Sequence, residues 1–143
     1  MKINMKTTII AAMLLISVAA TAQETVRGYI YSATGVTNSE SAGEAHTGFI
    51  ISRGMMHLRL GEKNAQTTYF LKDMEEYMVQ QSISWWTVGT LNISEDKNGV
   101  YTHTEYKDVN MEMGQGNGSV SITLRHKDFG YIRNFYVIIT GYE

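Results

Sequence analysis

The 143-residue chain has no cysteine and no proline. Without cysteine it makes no disulfide and no cysteine-type zinc site, so packing and hydrogen bonds alone must hold the fold. Without proline, strand ends are set by glycine and asparagine turns rather than by missing backbone donors. Long apolar runs are scarce too. The one candidate, "TTIIAAMLLISVAA" near the N-terminus, falls short of the roughly 20 residues that span a bilayer and leads into a polar chain.

That run follows Lys2 and Lys6 and ends in Ala20-Thr21-Ala22 before Gln23. Positive n-region, apolar h-region and small-x-small cleavage pattern together predict a secretory signal peptide over residues 1–22. The expected product is exported to a periplasm or the exterior, and the signal has a bacterial look. No cysteine stands at the cleavage point, so no lipid anchor is expected there, nor membrane insertion after cleavage. Residues 23–143 make one domain, long enough to bury a core. Losing the two lysines leaves ten basic side chains against fourteen acidic ones, a balance that gives no reason to expect nucleic acid or an anionic membrane as partner.

Past residue 22 the chain reads as short β-type runs bounded by turn residues. The stretch "SATGVTNSESAGEAH" (32–46) is small, polar and aperiodic, and is expected to be a long loop. Arg53-Gly54 and Asn98-Gly99 mark tight hairpins. In "GSVSITLRH" Val120, Ile122 and Leu124 alternate with polar residues, as a half-buried strand requires. One segment breaks the pattern. In "DMEEYMVQQS", Asp73 and Glu76 fit a capping box, and Met74, Tyr77, Met78 and Gln81 fall at helical spacing, which predicts a short helix near 73–81, with a further strand as the alternative. The last run, "YIRNFYVIIT", is apolar on both faces from Phe135 to Ile139, suggesting a strand covered on both sides. The fold class is therefore all-β: an antiparallel meander of about eight to nine strands, forming a small barrel or two-sheet sandwich with one short helix.

Several motifs invite chemistry. Residues 94–105 place Asp96, Asn98, Gly99 and Glu105 on a calcium-loop template. Ser94 forfeits the first ligand, however, and a strand extended at about 3.3 Å per residue carries Glu105 roughly 20 Å from the turn. A plain hairpin is expected. "GQGNG" has a phosphate loop's composition, but a strand follows it where a helix N-terminus is needed. Asn92-Ile93-Ser94 and Asn117-Gly118-Ser119 fit the glycosylation triplet and read as turn and strand-edge residues. Met111, Met113, Met55, Met56 and His57 suggest thioether and imidazole ligands for Cu(I), against the commoner use of methionine as core filler. No metal ligand set and no cofactor are predicted.

The best constellation is Tyr101, His103 and Glu105, on one face of one strand. A carboxylate that orients a histidine is the usual build of a general base, yet no serine or cysteine nucleophile carries a recognisable signature, and the same three residues suit a wet strand face opposite Val100, Thr102, Thr104 and Tyr106. His57 and His126 read as surface imidazoles.

The two tryptophans, Trp85 and Trp86, are adjacent, so in a strand they face opposite ways. Parity puts Trp85 with Ile83, Leu91 and Ile93 in the core and leaves Trp86 among serines and threonines on the wet face. A bulge at Gly89 would exchange them. The resulting expectation is a non-catalytic domain that binds a small ligand, glycan or envelope protein through Trp86, Tyr101, His103 and Glu105, on an aromatic surface or at a barrel mouth. Its rivals are a periplasmic enzyme using the His-Glu pair, a Met/His copper protein, and a structural accessory of the envelope.

Overall fold

Two-residue turns organise the chain. Arg53 and Gly54 (φ 53° and 72°) and Asn98 and Gly99 (φ 52° and 83°) have the paired positive φ that matches the twist of flanking antiparallel strands. The computed structural model describes residues 25–34, 47–62 and 65–142. The signal segment predicted over 1–22 and most of the loop predicted over 32–46 lie outside them. The described residues form nine strands: β1 (Val26–Ala33), β2 (Gly48–Ser52), β3 (Met55–Glu62), β4 (Ala65–Gln80), β5 (Ile83–Lys97), β6 (Val100–Tyr106), β7 (Val109–Gln115), β8 (Ser119–His126) and β9 (Gly130–Tyr142).

All neighbours are antiparallel. The order β4-β3-β2-β1-β9-β8-β7-β5 closes through a direct β4–β5 pairing, which makes an eight-stranded barrel, and β6 hangs outside it on β5. The choice between barrel and sandwich thus falls to the barrel. Its interior is a packed core, in which Trp86, Phe49, Phe135, Met111 and Met113 are among the largest fully buried side chains. Val120, Ile122 and Leu124 of β8 point inward as their alternation predicts, each 0% exposed. The alternation of β9 also persists further than the sequence suggests. Phe135 and Val137 are buried and Tyr136 between them is exposed, so that strand is covered on its inner face there and not on both.

No helix occurs among the described residues, and 73–81 belongs to the β4–β5 hairpin. The helical spacing has two causes, both in strand geometry. In β4 the inward side chains are Tyr69, Leu71 and then Met74, while in β5 they are Ser84, Trp86, Val88 and then Leu91. Each strand passes two residues instead of one between inward positions. The skips face each other, because Lys72 pairs with Thr90 and Met74 with Val88 without loss of register. This shared crease is possible because Asp73 takes a left-handed conformation (φ 54°) and Gly89 opposite it has no side chain; a Cβ there would sit 2.7 Å from the Asp73 Cβ. Three residues on, the pairing slips between Glu76 and Met78, and Tyr77 is the extra residue of a bulge. Crease and bulge in succession imitate a helical period.

The crease also corrects the assignment of the tryptophans. Trp86 is 0% exposed inside the barrel, with its indole N–H donating to Ser84 Oγ at 2.8 Å, whereas Trp85 is half-buried on the outer side. The slip does fall at Gly89, matched by one at Asp73 rather than set against an unbroken partner.

The crease is, finally, where β5 changes partners. Ile83–Val88 pair with β7, and Leu91–Lys97 pair with β6. Tyr106 at the end of β6 caps this seam with its ring edge-on to Phe129, which stacks on His126 with centroids 4.0 Å apart. His126 is therefore half-buried in an aromatic cluster, not a bare surface imidazole, and its Nδ1 accepts the Asp128 N–H.

Candidate functional site

The outer face of β2 to β6 is built in rows, because residues paired across antiparallel strands stand side by side on one face. One row runs Ile50, His57, Phe70, Asn92, Glu105. The next runs Arg59, Thr68, Ser94, His103. In the middle of these rows stand the short side chains of Thr68, Asn92 and Ser94, between the bulk of His57 and Phe70 on one side and His103 on the other. The outcome is an open groove of about 630 Å³, lined by Ile50, Met55, His57, Thr68, Phe70, Ser94 and His103 among others. Its walls are largely hydrocarbon and aromatic, and its polar atoms are few.

Those polar atoms are ordered. The Tyr101 hydroxyl donates to Ser94 Oγ at 3.1 Å, and Ser94 Oγ lies 3.1 Å from His103 Nδ1. Ser94 Oγ, which accepts from tyrosine, either donates to Nδ1 or accepts from it according to the His103 tautomer. On the opposite wall His57 stands edge-on to Phe70, 5.7 Å between centroids. Shielding by its neighbours, with Arg59 adding like charge, lowers its pKa below the ordinary histidine value. Near neutral pH it is an uncharged imidazole, able to donate and to accept. Lys72 lies over the Phe70 ring at 5.1 Å.

Of the residues singled out in sequence, Tyr101, His103 and Glu105 do share one exposed face of β6. The structure joins the first two through Ser94 and leaves Glu105 apart, since no hydrogen bond links it to His103. Val100, Thr102 and Thr104, expected to face inward, are exposed as well, because β6 lies outside the barrel and has no core behind it. Trp86 belongs to the interior. On the outer side Trp85 and Tyr77 line a smaller hollow of about 330 Å³ with Asn110, Glu112 and Arg125. Met56, Met111 and Met113 are buried inside the barrel while His57 faces out, so the wall separates these thioethers from the imidazole and leaves only Met55 on the same side as His57. Among the described residues no three His, Asp or Glu side chains gather as a metal site would need. Asn98-Gly99 forms a plain hairpin, with Glu105 paired at the far end of the strand to Asn92.

Sequence reasoning missed Ile50, Thr68 and Phe70; it named Asn92 in a glycosylation triplet, and Met55 and His57 in a copper reading, but not as parts of one groove. These lie on different strands and meet only through cross-strand register. Comparison of the chain with protein-family models, with curated proteins and with solved structures gives no match.

Proposed function

We propose that the chain is an exported, non-catalytic binding domain whose ligand lies in the outer groove of β2 to β6. The observation that supports this reading is the lining itself: an apolar floor and walls from Ile50, Met55 and Phe70, with a few fixed polar groups, His57, Asn92 and the Tyr101–Ser94–His103 chain, at the margins. Small-ligand sites have this composition, in which apolar surface supplies affinity and a few polar groups supply orientation. The ligand class that fits is a small amphiphile, its flat apolar body over Phe70 and its polar or anionic end toward His103 and Arg59.

A catalytic use of His103 has weaker support. A general base needs an orienting partner and a reacting group held near it in a shielded site, and here both His103 and Glu105 are exposed.

Anilinonaphthalene sulfonate, an anionic aromatic amphiphile, is a direct probe. Its fluorescence should rise on mixing with the folded chain, and Phe70→Glu should weaken its affinity at least tenfold while leaving the far-ultraviolet spectrum unchanged. His103→Ala should weaken it less, by a few-fold. A probe that ignores the chain, or binds Phe70→Glu as tightly as the parent, would overturn the reading.

A further inference from the structure

β6 ends the sheet order, so one of its edges is open. Lys97 and Val100 flank the two-residue turn and therefore form a hydrogen-bonded pair. Alternation from there turns the N–H and C=O groups of Val100, Thr102, Thr104 and Tyr106 toward β5, and those of Tyr101, His103 and Glu105 away from it. Three donors and three acceptors thus line the open edge, and among the described residues no backbone hydrogen bond from elsewhere reaches them.

Exposed edges are ordinarily blunted by lysine, proline, a bulge or a covering segment. Within Val100–Tyr106 the sequence VYTHTEY has no lysine and no proline, and its pairing to β5 is unbroken from Val100 to Tyr106. Six of its seven residues are exposed. Four are threonine, tyrosine or valine types suited to a pleated surface on both faces.

We infer that this edge binds a second copy of itself, β6 against β6 in antiparallel pairing about a two-fold axis at His103. This register uses every open group: His103 exchanges two hydrogen bonds with the partner's His103, and Tyr101 and Glu105 exchange two with each other on either side. The side chains agree with it. Thr102 meets the partner's Thr104, Val100 meets the partner's Tyr106, and the strand's single charge, Glu105, meets the partner's Tyr101. Other axes fare worse. Centred on Glu105 the pairing would oppose two carboxylates, and centred on Tyr101 it would leave the Glu105 amide unpaired. The two-fold also places both outer grooves on one face of a continuous sheet, meeting at the histidine pair.

The absence of native cysteine makes the register directly testable. Across the axis the two His103 Cα atoms would stand about 5.5 Å apart, within disulfide range. The two Tyr101 Cα atoms would be offset by four residues along the strands, roughly 13 Å. Under mild oxidation His103→Cys should give a covalent dimer and Tyr101→Cys should not. One strand edge buries less than the roughly 1,200 Å² typical of stable complexes, so the parent chain should show a reversible monomer–dimer equilibrium by sedimentation at about 0.1–1 mM. The double variant Thr102→Lys with Thr104→Lys, which sets lysine against lysine across the axis, should sediment as monomer. Thr102→Lys with Thr104→Glu sets opposite charges together and should restore the dimer. A parent chain that stays monomeric to 1 mM overturns the inference, as does equal cross-linking at positions 101 and 103 or a dimer insensitive to the lysine pair.

Discussion

β6 and β8 are similar strands with opposite fates. Each is seven or eight residues long, each alternates, and each follows a glycine turn, yet Ile122 at the centre of β8 is sealed in the core while Thr104 in β6 meets water. The difference lies in composition and in neighbours. The inward set of β8 is Val120, Ile122 and Leu124, which gains from burial, and β7 and β9 hold it on both edges. The corresponding set of β6 is Val100, Thr102 and Thr104, whose hydroxyls gain little from a core, and only β5 holds it. Periodicity says that a strand has two faces; the chemistry of those faces says whether either is buried.

The contrast can be broken most directly at its strong end. Ile122→Ala should cost about 2–5 kcal/mol in urea unfolding, since it leaves a cavity in a filled interior; a cost no greater than that of Thr104→Ala would show that β8 is not a core strand. The crease comes next. Gly89→Ala drives a methyl group against Asp73, 2.7 Å from its Cβ, and should cost roughly 1–3 kcal/mol through local overpacking. Asp73→Gly in the same chain should recover most of that, because it removes both the clashing carbon and a left-handed aspartate. Hydrogen exchange on Gly89→Ala should also show β6 amides loosened more than those of β8, since the crease is where β5 passes from β7 to β6.

Acidity gives a smaller effect. Folding lowers the His57 pKa, chiefly by burial and secondarily through Arg59, so the unfolded chain takes up this proton first. Its contribution to stability is whole above the unfolded value of about 6.5 and declines as pH falls through that value toward the folded one. His57→Gln should flatten this part of the profile, by a modest amount because the ring remains largely exposed. Smallest of all is Thr104→Ala, expected to change stability by no more than about 0.5 kcal/mol at concentrations where the chain is monomeric. A larger loss would mean that the back of β6 rests on something.

Much of this architecture is readable in the residues. Val120, Ile122 and Leu124 announce a half-buried strand, and Arg53-Gly54 and Asn98-Gly99 announce their hairpins, because both signals are local. The misread helix and the exchanged tryptophans both involve the crease, joined in the helix's case by the bulge at Tyr77. Alternation was carried across Asp73 and Gly89, two residues 16 positions apart in sequence whose skips are legible only once they are set opposite each other. The site divides in the same way. Tyr101 and His103 stand on one strand and are found by parity, whereas Phe70 and Ile50 join them through a register spanning five strands.

The order of strands also fixes an order of assembly. β4 and β5, the longest pair, are joined by only Gln81 and Ser82, so their ladder closes at little entropic cost and can grow residue by residue from the turn. The pairing of β1 with β9 is the reverse, for it sets Val26 beside Tyr142 and must gather nearly the whole chain before its first hydrogen bond is rewarded. The long creased hairpin is therefore expected to form early in folding and the β1–β9 seam late, with the pairing of Val26 to Tyr142 the expected slow step in closing the barrel.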